Sequence, residues 1–173
     1  MGAITSSDGV TKRDEAREKL RTQEIKMIML FDEIPTFKET IVVVDVHGVL
    51  FMPITKIGKQ PELRRGAVKW LTKVINDSCL VVLMGSSSKQ NVQLELVLTR
   101  LNIPYHNLLA AEPSKVESFT SWVTAIGHDN WPLVVIDDWM DCLLGWPSRA
   151  QLYYMSDKPL ATMDVLTQGN TNL

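Results

Sequence analysis

The feature that most narrows what this chain can fold into is the run Ile41-Val42-Val43-Val44-Asp45, β-branched throughout until the carboxylate that ends it. Such a run suits a strand covered on both faces, as at the centre of a parallel sheet, and it disfavours a helix. Leu133-Val134-Val135-Ile136 repeats the pattern and again ends in acid, Asp137-Asp138. Cys79 to Met84 is a further apolar run that leads into Gly85-Ser86-Ser87-Ser88, and Asn107 to Ala111 and Gln151 to Met155 complete the expected strands.

Helical signals fall between these runs. One helix is expected from about Pro61 to Asn76, with Ala67, Val68, Leu71, Val74 and Ile75 facing inward. A second spans about Lys89 to Asn102, with Val92, Leu96 and Leu101 near one face. A third opens on the capping box Ser114/Glu117 and is ended by Gly127. Strands alternating with helices define an α/β fold, a three-layer Rossmann-like parallel sheet, and 173 residues suit one such domain.

Upstream, Thr11 and Asp14 make a helix start, and positions 16, 20, 23, 27, 30, 31 and 34 share one helical stripe, apolar except at Gln23. An N-terminal amphipathic helix ending near Pro35 is therefore expected, packing either on the domain or on a second copy in a homodimer. The expected organisation is a polar tail and helix over 1–38, an α/β domain over 39–160 and a C-terminal tail over 161–173.

Hydrophobic residues at 45% and charged residues at 22% are those of an ordinary globular protein, and no apolar run is long enough to span a bilayer. The polar N-terminus lacks the apolar core of a secretory signal, so a cytoplasmic location is expected. Cys79 and Cys142 are too few for a disulfide framework and lack metal-site spacing. A net charge of −2 gives no general attraction to nucleic acid, although Lys56, Lys59, Arg64 and Arg65 form a basic cluster in one connection. Trp122, Trp131, Trp139 and Trp146 lack interleaved basic residues and read as packing residues.

In a doubly wound sheet, ligands bind beyond the carboxyl ends of the strands, and those ends carry Asp45, Ser86, Asp137 and Asp138. Carboxylates gathered from separate strands repel one another unless a cation or proton intervenes, and hard oxygen ligands suit Mg²⁺. Ser86 stands just before a helix, where a hydroxyl and backbone N–H groups can hold phosphate oxygens, and Lys115 brings an ammonium. Metal, hydroxyl and ammonium together point to a phosphoryl group.

In this order the motifs resemble those of the haloacid dehalogenase (HAD) superfamily. Val42-Val43-Val44-Asp45-Val46-His47-Gly48-Val49-Leu50 is similar to its first motif, Asp-x-Asp-x-Thr/Val after an apolar strand, except at His47. Leu80 to Ser86, Lys115 in Glu112-Pro113-Ser114-Lys115, and Leu133 to Asp138 resemble the second, third and fourth, and Asp141 stands near the last. Leu63 to Leu71 is similar to the helix that follows the first motif in many members.

The resemblance implies a Mg²⁺-dependent phosphomonoester hydrolase in which Asp45 is the nucleophile and forms an aspartyl-phosphate. Mg²⁺ would be held by Asp45, the residue 47 carbonyl and Asp138, with Asp137 assisting, while Ser86, Ser87 and Lys115 would hold the phosphoryl oxygens. His47 stands where such phosphatases place a second aspartate, and imidazole, with a reference pKa of about 6.5, can serve as that acid and base. The alternative is a catalytically weak phosphate-binding or protein-interaction module. No large cap domain fits between Asp45 and Ser86 or between Ser86 and Lys115, so an open site is expected that admits a small phosphomonoester, a nucleic-acid end or a phosphoprotein as substrate.

Overall fold

The computed structural model describes residues 24–53, 58 and 60–157. Six strands form one sheet: β1 (Ile25–Ile28), β2 (Ile41–Asp45), β3 (Leu80–Met84), β4 (Asn107–Leu109), β5 (Leu133–Asp137) and β6 (Gln151–Met155). All are parallel, in the order β1-β6-β5-β2-β3-β4. Four helices connect them: α1 (Ala67–Asn76), α2 (Ser88–Arg100), α3 (Lys115–Ala125) and α4 (Met140–Leu144).

The β-branched run behaves as its composition demands. Every residue of β2 and of β5 is buried, and successive side chains enter opposite layers. Val42, Val44, Val134 and Ile136 join Ala67, Trp70, Leu71 and Val74 of α1 and Leu98 of α2. Ile41, Val43, Leu133 and Val135 meet Phe119 and Val123 of α3 and Leu143 of α4 on the other face. Two helix layers thus cover one sheet, and at about 1.5–3 kcal/mol for each fully buried aliphatic side chain this double coverage is the main stabilising contribution.

Several expectations need correction. Residues 25–28, placed on the C-terminal half of an amphipathic helix, form the edge strand β1 paired to β6, and Phe31–Glu33 is a single 3₁₀ turn. The sheet therefore begins well before residue 39, and the part of the expected helix before Glu24 lies outside the described residues. On the expected stripe Phe31 and Ile34 are buried while Met27 and Leu30 are exposed, because tertiary pairing overrides a helical period. Helix α1 starts at Ala67 after Gly66 rather than at Pro61. In α2, Leu98 is buried with Leu94 and Val97 against the core, whereas Val92, Leu96 and Leu101 are exposed. The short helix α4 carries no sequence signal strong enough to have been expected.

Candidate active site

The chain leaves β2 through α1 to β3 and β4 on one side, then returns through α3 to β5 and β6 on the other. This reversal opens the sheet between the carboxyl ends of β2 and β5, where Asp45 and Asp137 are the last strand residues. Asp45 and Asp137 are 7% and 2% exposed, and Asp138 follows, half-buried. Each of the three offers a carboxylate oxygen within 4.8 Å of the other two.

Lys115 completes the group. Its Nζ lies 2.8 Å from Asp137 Oδ2 and 3.2 Å from Asp45 Oδ1, bridging the two strand ends. It is the first residue of α3, whose N-cap Ser114 accepts a hydrogen bond from Glu117 N–H. A cation in a helix's first turn opposes the positive end of the helix dipole, so its position owes to the carboxylates and not to the helix.

Three carboxylates face one ammonium, and full ionisation leaves negative charge uncompensated. Burial pushes the Asp45 carboxyl up to about 9, the charge of Asp137 adds to the rise, and Lys115 opposes it. Asp137 is also raised, by burial above all, against Lys115 and the Trp139 N–H that donates to its Oδ1. Burial lowers Lys115, but the charges of Asp45 and Asp137 outweigh it and hold its pKa above the ordinary lysine value. A divalent cation fits this donor set on chemical grounds: hard oxygens, excess negative charge and a common point of approach.

The loop after β2 holds the cluster together. Leu50 N–H donates to Asp45 O and Phe51 N–H to Val46 O, and Gly48 turns the chain at φ +89°. A Cβ at Gly48 would lie 1.9 Å from Asp138 Oδ2. Gly48→Ala is therefore expected to push Asp138 out of the cluster and to cost about 1–3 kcal/mol in stability, checked by chemical denaturation with and without Mg²⁺. Undiminished stability in this variant would contradict the packing of Gly48 on Asp138 described here.

Ser86 and Ser87 lie on the turn from β3 into α2, next to Asp45 because Met84 pairs with Asp45 in the sheet. Ser87 Oγ caps α2 by accepting from Gln90 N–H, and Ser86 N–H is taken by Asn91 Oδ1 at 3.0 Å. That backbone donor is therefore not free for a phosphate, and what Ser86 brings is its hydroxyl. His47 is exposed, and its imidazole is not among the three clustered side chains.

Two residues that matter here carried no motif. Asn91 braces the serine turn, and a Cβ at Gly85 would lie 2.1 Å from its Oδ1. Arg64, counted above in the basic cluster of one connection, is 3% exposed. Its Nε donates to Val49 O, Nη2 to Gly48 O, and Nη1 to both Met29 O and Asp157 Oδ1. It is a structural tie behind the Gly48 loop, while Arg65 is exposed and Lys56 and Lys59 lie outside the described residues. Gly66, at φ +84°, is the N-cap of α1, and a glycine there was the available signal that the helix opens at Ala67 and not at Pro61.

Comparison of the chain with protein-family models, curated proteins and solved structures finds no match. The fold and the cluster define an α/β protein with a Rossmann-like parallel sheet and an acidic, lysine-bridged centre at its switch point. No helix among the described residues is long and apolar enough to cross a membrane.

Proposed function

We propose that the chain is a phosphomonoester hydrolase of the HAD type, with Mg²⁺ as cofactor and Asp45 as nucleophile. The observation that carries this reading is the Lys115 ammonium set between Asp45 and Asp137 with Asp138 alongside, at the point where a parallel sheet binds ligands. The order of the motifs along the chain, which resembles that superfamily, supports it.

Asp45, Asp137 and Asp138 are the residues that would hold Mg²⁺, which when bound supplies positive charge to the phosphoryl oxygens. The Asp45 carboxylate attacks phosphorus, the bond from phosphorus to the ester oxygen breaks, and an aspartyl-phosphate forms while the leaving alkoxide takes up a proton. Water then attacks phosphorus, releasing inorganic phosphate and restoring Asp45. Lys115 and the Ser86 hydroxyl orient the phosphoryl group, and such positioning with electrostatic stabilisation is most of what catalyses phosphoryl transfer. His47, exposed two residues beyond the nucleophile, is the group assigned to protonate the leaving oxygen and activate water.

The test is phosphate release from an aryl phosphate with Mg²⁺ and with EDTA, expected only with Mg²⁺. Because the Asp45 carboxyl is pushed up to about 9, cation binding at neutral pH has to displace a proton. Apparent Mg²⁺ affinity is therefore expected to rise between pH 6 and pH 8, by up to about tenfold per pH unit for one displaced proton, as read by calorimetric titration. A second reading, a phosphate-binding module without turnover, is favoured by the exposure of His47; it requires Mg²⁺ binding with no release from any ester.

A further inference from the structure

On the reading above, the leaving group of the substrate needs a place beside Lys115, and the structure has one. A cavity of about 520 Å³ opens between the first turn of α3 and the helix α4, and Lys115 is part of its wall. A volume of this size matches sites for small organic ligands. Ala111, Val116 and Cys142 give it apolar walls, and the carboxylates of Glu117 and Asp141 stand at its edge.

Gly145, exposed at the C-cap of α4, is a further part of the cavity lining. Its φ of −75° and ψ of −15° are ordinary for any residue, and an added Cβ would meet Cys142 O at 3.5 Å and Val116 Cγ2 at 3.7 Å, which is normal contact. Neither backbone nor sterics demands glycine there, so a larger residue can be placed at this position without strain. What a side chain at this position would remove is open space.

We infer that this cavity is the leaving-group subsite, and that it takes the compact apolar body of a small phosphomonoester carrying an ammonium group. The phosphoryl end of such a molecule meets Lys115 and its body the Val116 and Cys142 walls, while its cation meets Glu117 and Asp141. The competing groove between α2 and the open edge of β4 is a poorer substrate track, because Asn107 Oδ1 already accepts the outward Leu108 N–H of that edge.

The experiment compares tyramine phosphate, phenyl phosphate and a phosphotyrosine peptide on the full chain with Mg²⁺, alongside Val116→Phe and Gly145→Val. In parallel, alkylation of Cys142 is followed with and without tyramine; Cys79 is 1% exposed, which leaves Cys142 as the accessible thiol. The expected result is kcat/KM about tenfold higher for tyramine phosphate than for phenyl phosphate, lost in both cavity-filling variants. Tyramine should also slow Cys142 alkylation in the parent chain, whether or not any ester is hydrolysed.

If tyramine protects Cys142 but no ester is hydrolysed, the subsite stands and the hydrolase reading falls. If esters are hydrolysed with equal efficiency in parent and filled variants, or the peptide is preferred, the subsite falls and the hydrolase stands. Absence of protection overturns the subsite in either case.

Discussion

On the proposed hydrolase reading, Asp45→Asn is expected to reduce Mg²⁺-dependent phosphate release by at least about a thousandfold, because a carboxamide cannot form the aspartyl-phosphate that this reading requires. The same variant should make the metal-free protein more stable at neutral and alkaline pH. Asp45 is 7% exposed beside Asp137 and Asp138, and its carboxyl is pushed up to about 9 by burial and by the charge of Asp137. A carboxyl whose pKa is raised on folding holds a proton that the unfolded chain has already lost. Its contribution to stability is complete below the ordinary carboxylate value of 3.8 and is lost as pH rises toward about 9. The parent chain without metal should therefore lose stability across that window, and Asp137, raised in the same direction, adds to the slope. Replacing Asp45 by Asn removes its share. The readout is Tm against pH in EDTA, where a domain of this size shifts by roughly 2–4 °C for each kcal/mol. A parent and variant with parallel Tm profiles from pH 5 to pH 9 would show that Asp45 is not titrating in this way. Greater stability with less activity is the pattern expected of a residue kept for chemistry.

The sheet was readable because its strands are buried on both faces. Ile41–Asp45 and Leu133–Asp137 have compositions that hardly any other environment accommodates, and Gln151–Met155 has the bounds expected of it. The N-cap at Ser114, read from the Ser114/Glu117 pair, fixed the start of α3, and with it the placement of Lys115. Legibility failed where a segment's role is set by a distant partner. Ile25–Ile28 has too little length to declare its period, and it is a strand only because β6 lies beside it. Val92 and Leu96 mimic an inward face, yet α2 turns Leu94, Val97 and Leu98 to the core instead. The carboxylates and Lys115 could be named from their strand ends and helix start, but not the bridge between them. Asn91 and Arg64 act through hydrogen bonds to backbone atoms, and such contacts leave no pattern in the residues they touch.

Arg64 is for that reason the position where substitution should unsettle the fold most. Its guanidinium is buried and spans four partners: Gly48 O at 2.7 Å, Val49 O at 2.8 Å, Met29 O at 3.2 Å and Asp157 Oδ1 at 2.8 Å. These tie the loop after β2 to the chain beyond β1 and to the residues after β6. Asp157 is 33% exposed at its side chain, so the ion pair itself is partly screened by water. The carbonyls at Gly48 and Val49 are not so placed, since both residues are buried. Arg64→Met fills most of the volume but leaves those acceptors without a donor, and it is expected to destabilise by roughly 3–5 kcal/mol, as for a broken buried ion network. For a domain of this size that is a fall in Tm of roughly 6–20 °C. Arg64→Lys keeps the charge but not the fork, and one ammonium, with three donors on a single nitrogen, cannot serve all four acceptors. It should recover only a minor part of the loss. Because the released loop carries Gly48, which packs on Asp138, both variants should also weaken the Mg²⁺ binding proposed for the cluster. Full recovery by lysine would assign the effect to charge alone and remove the argument that the guanidinium shapes the loop.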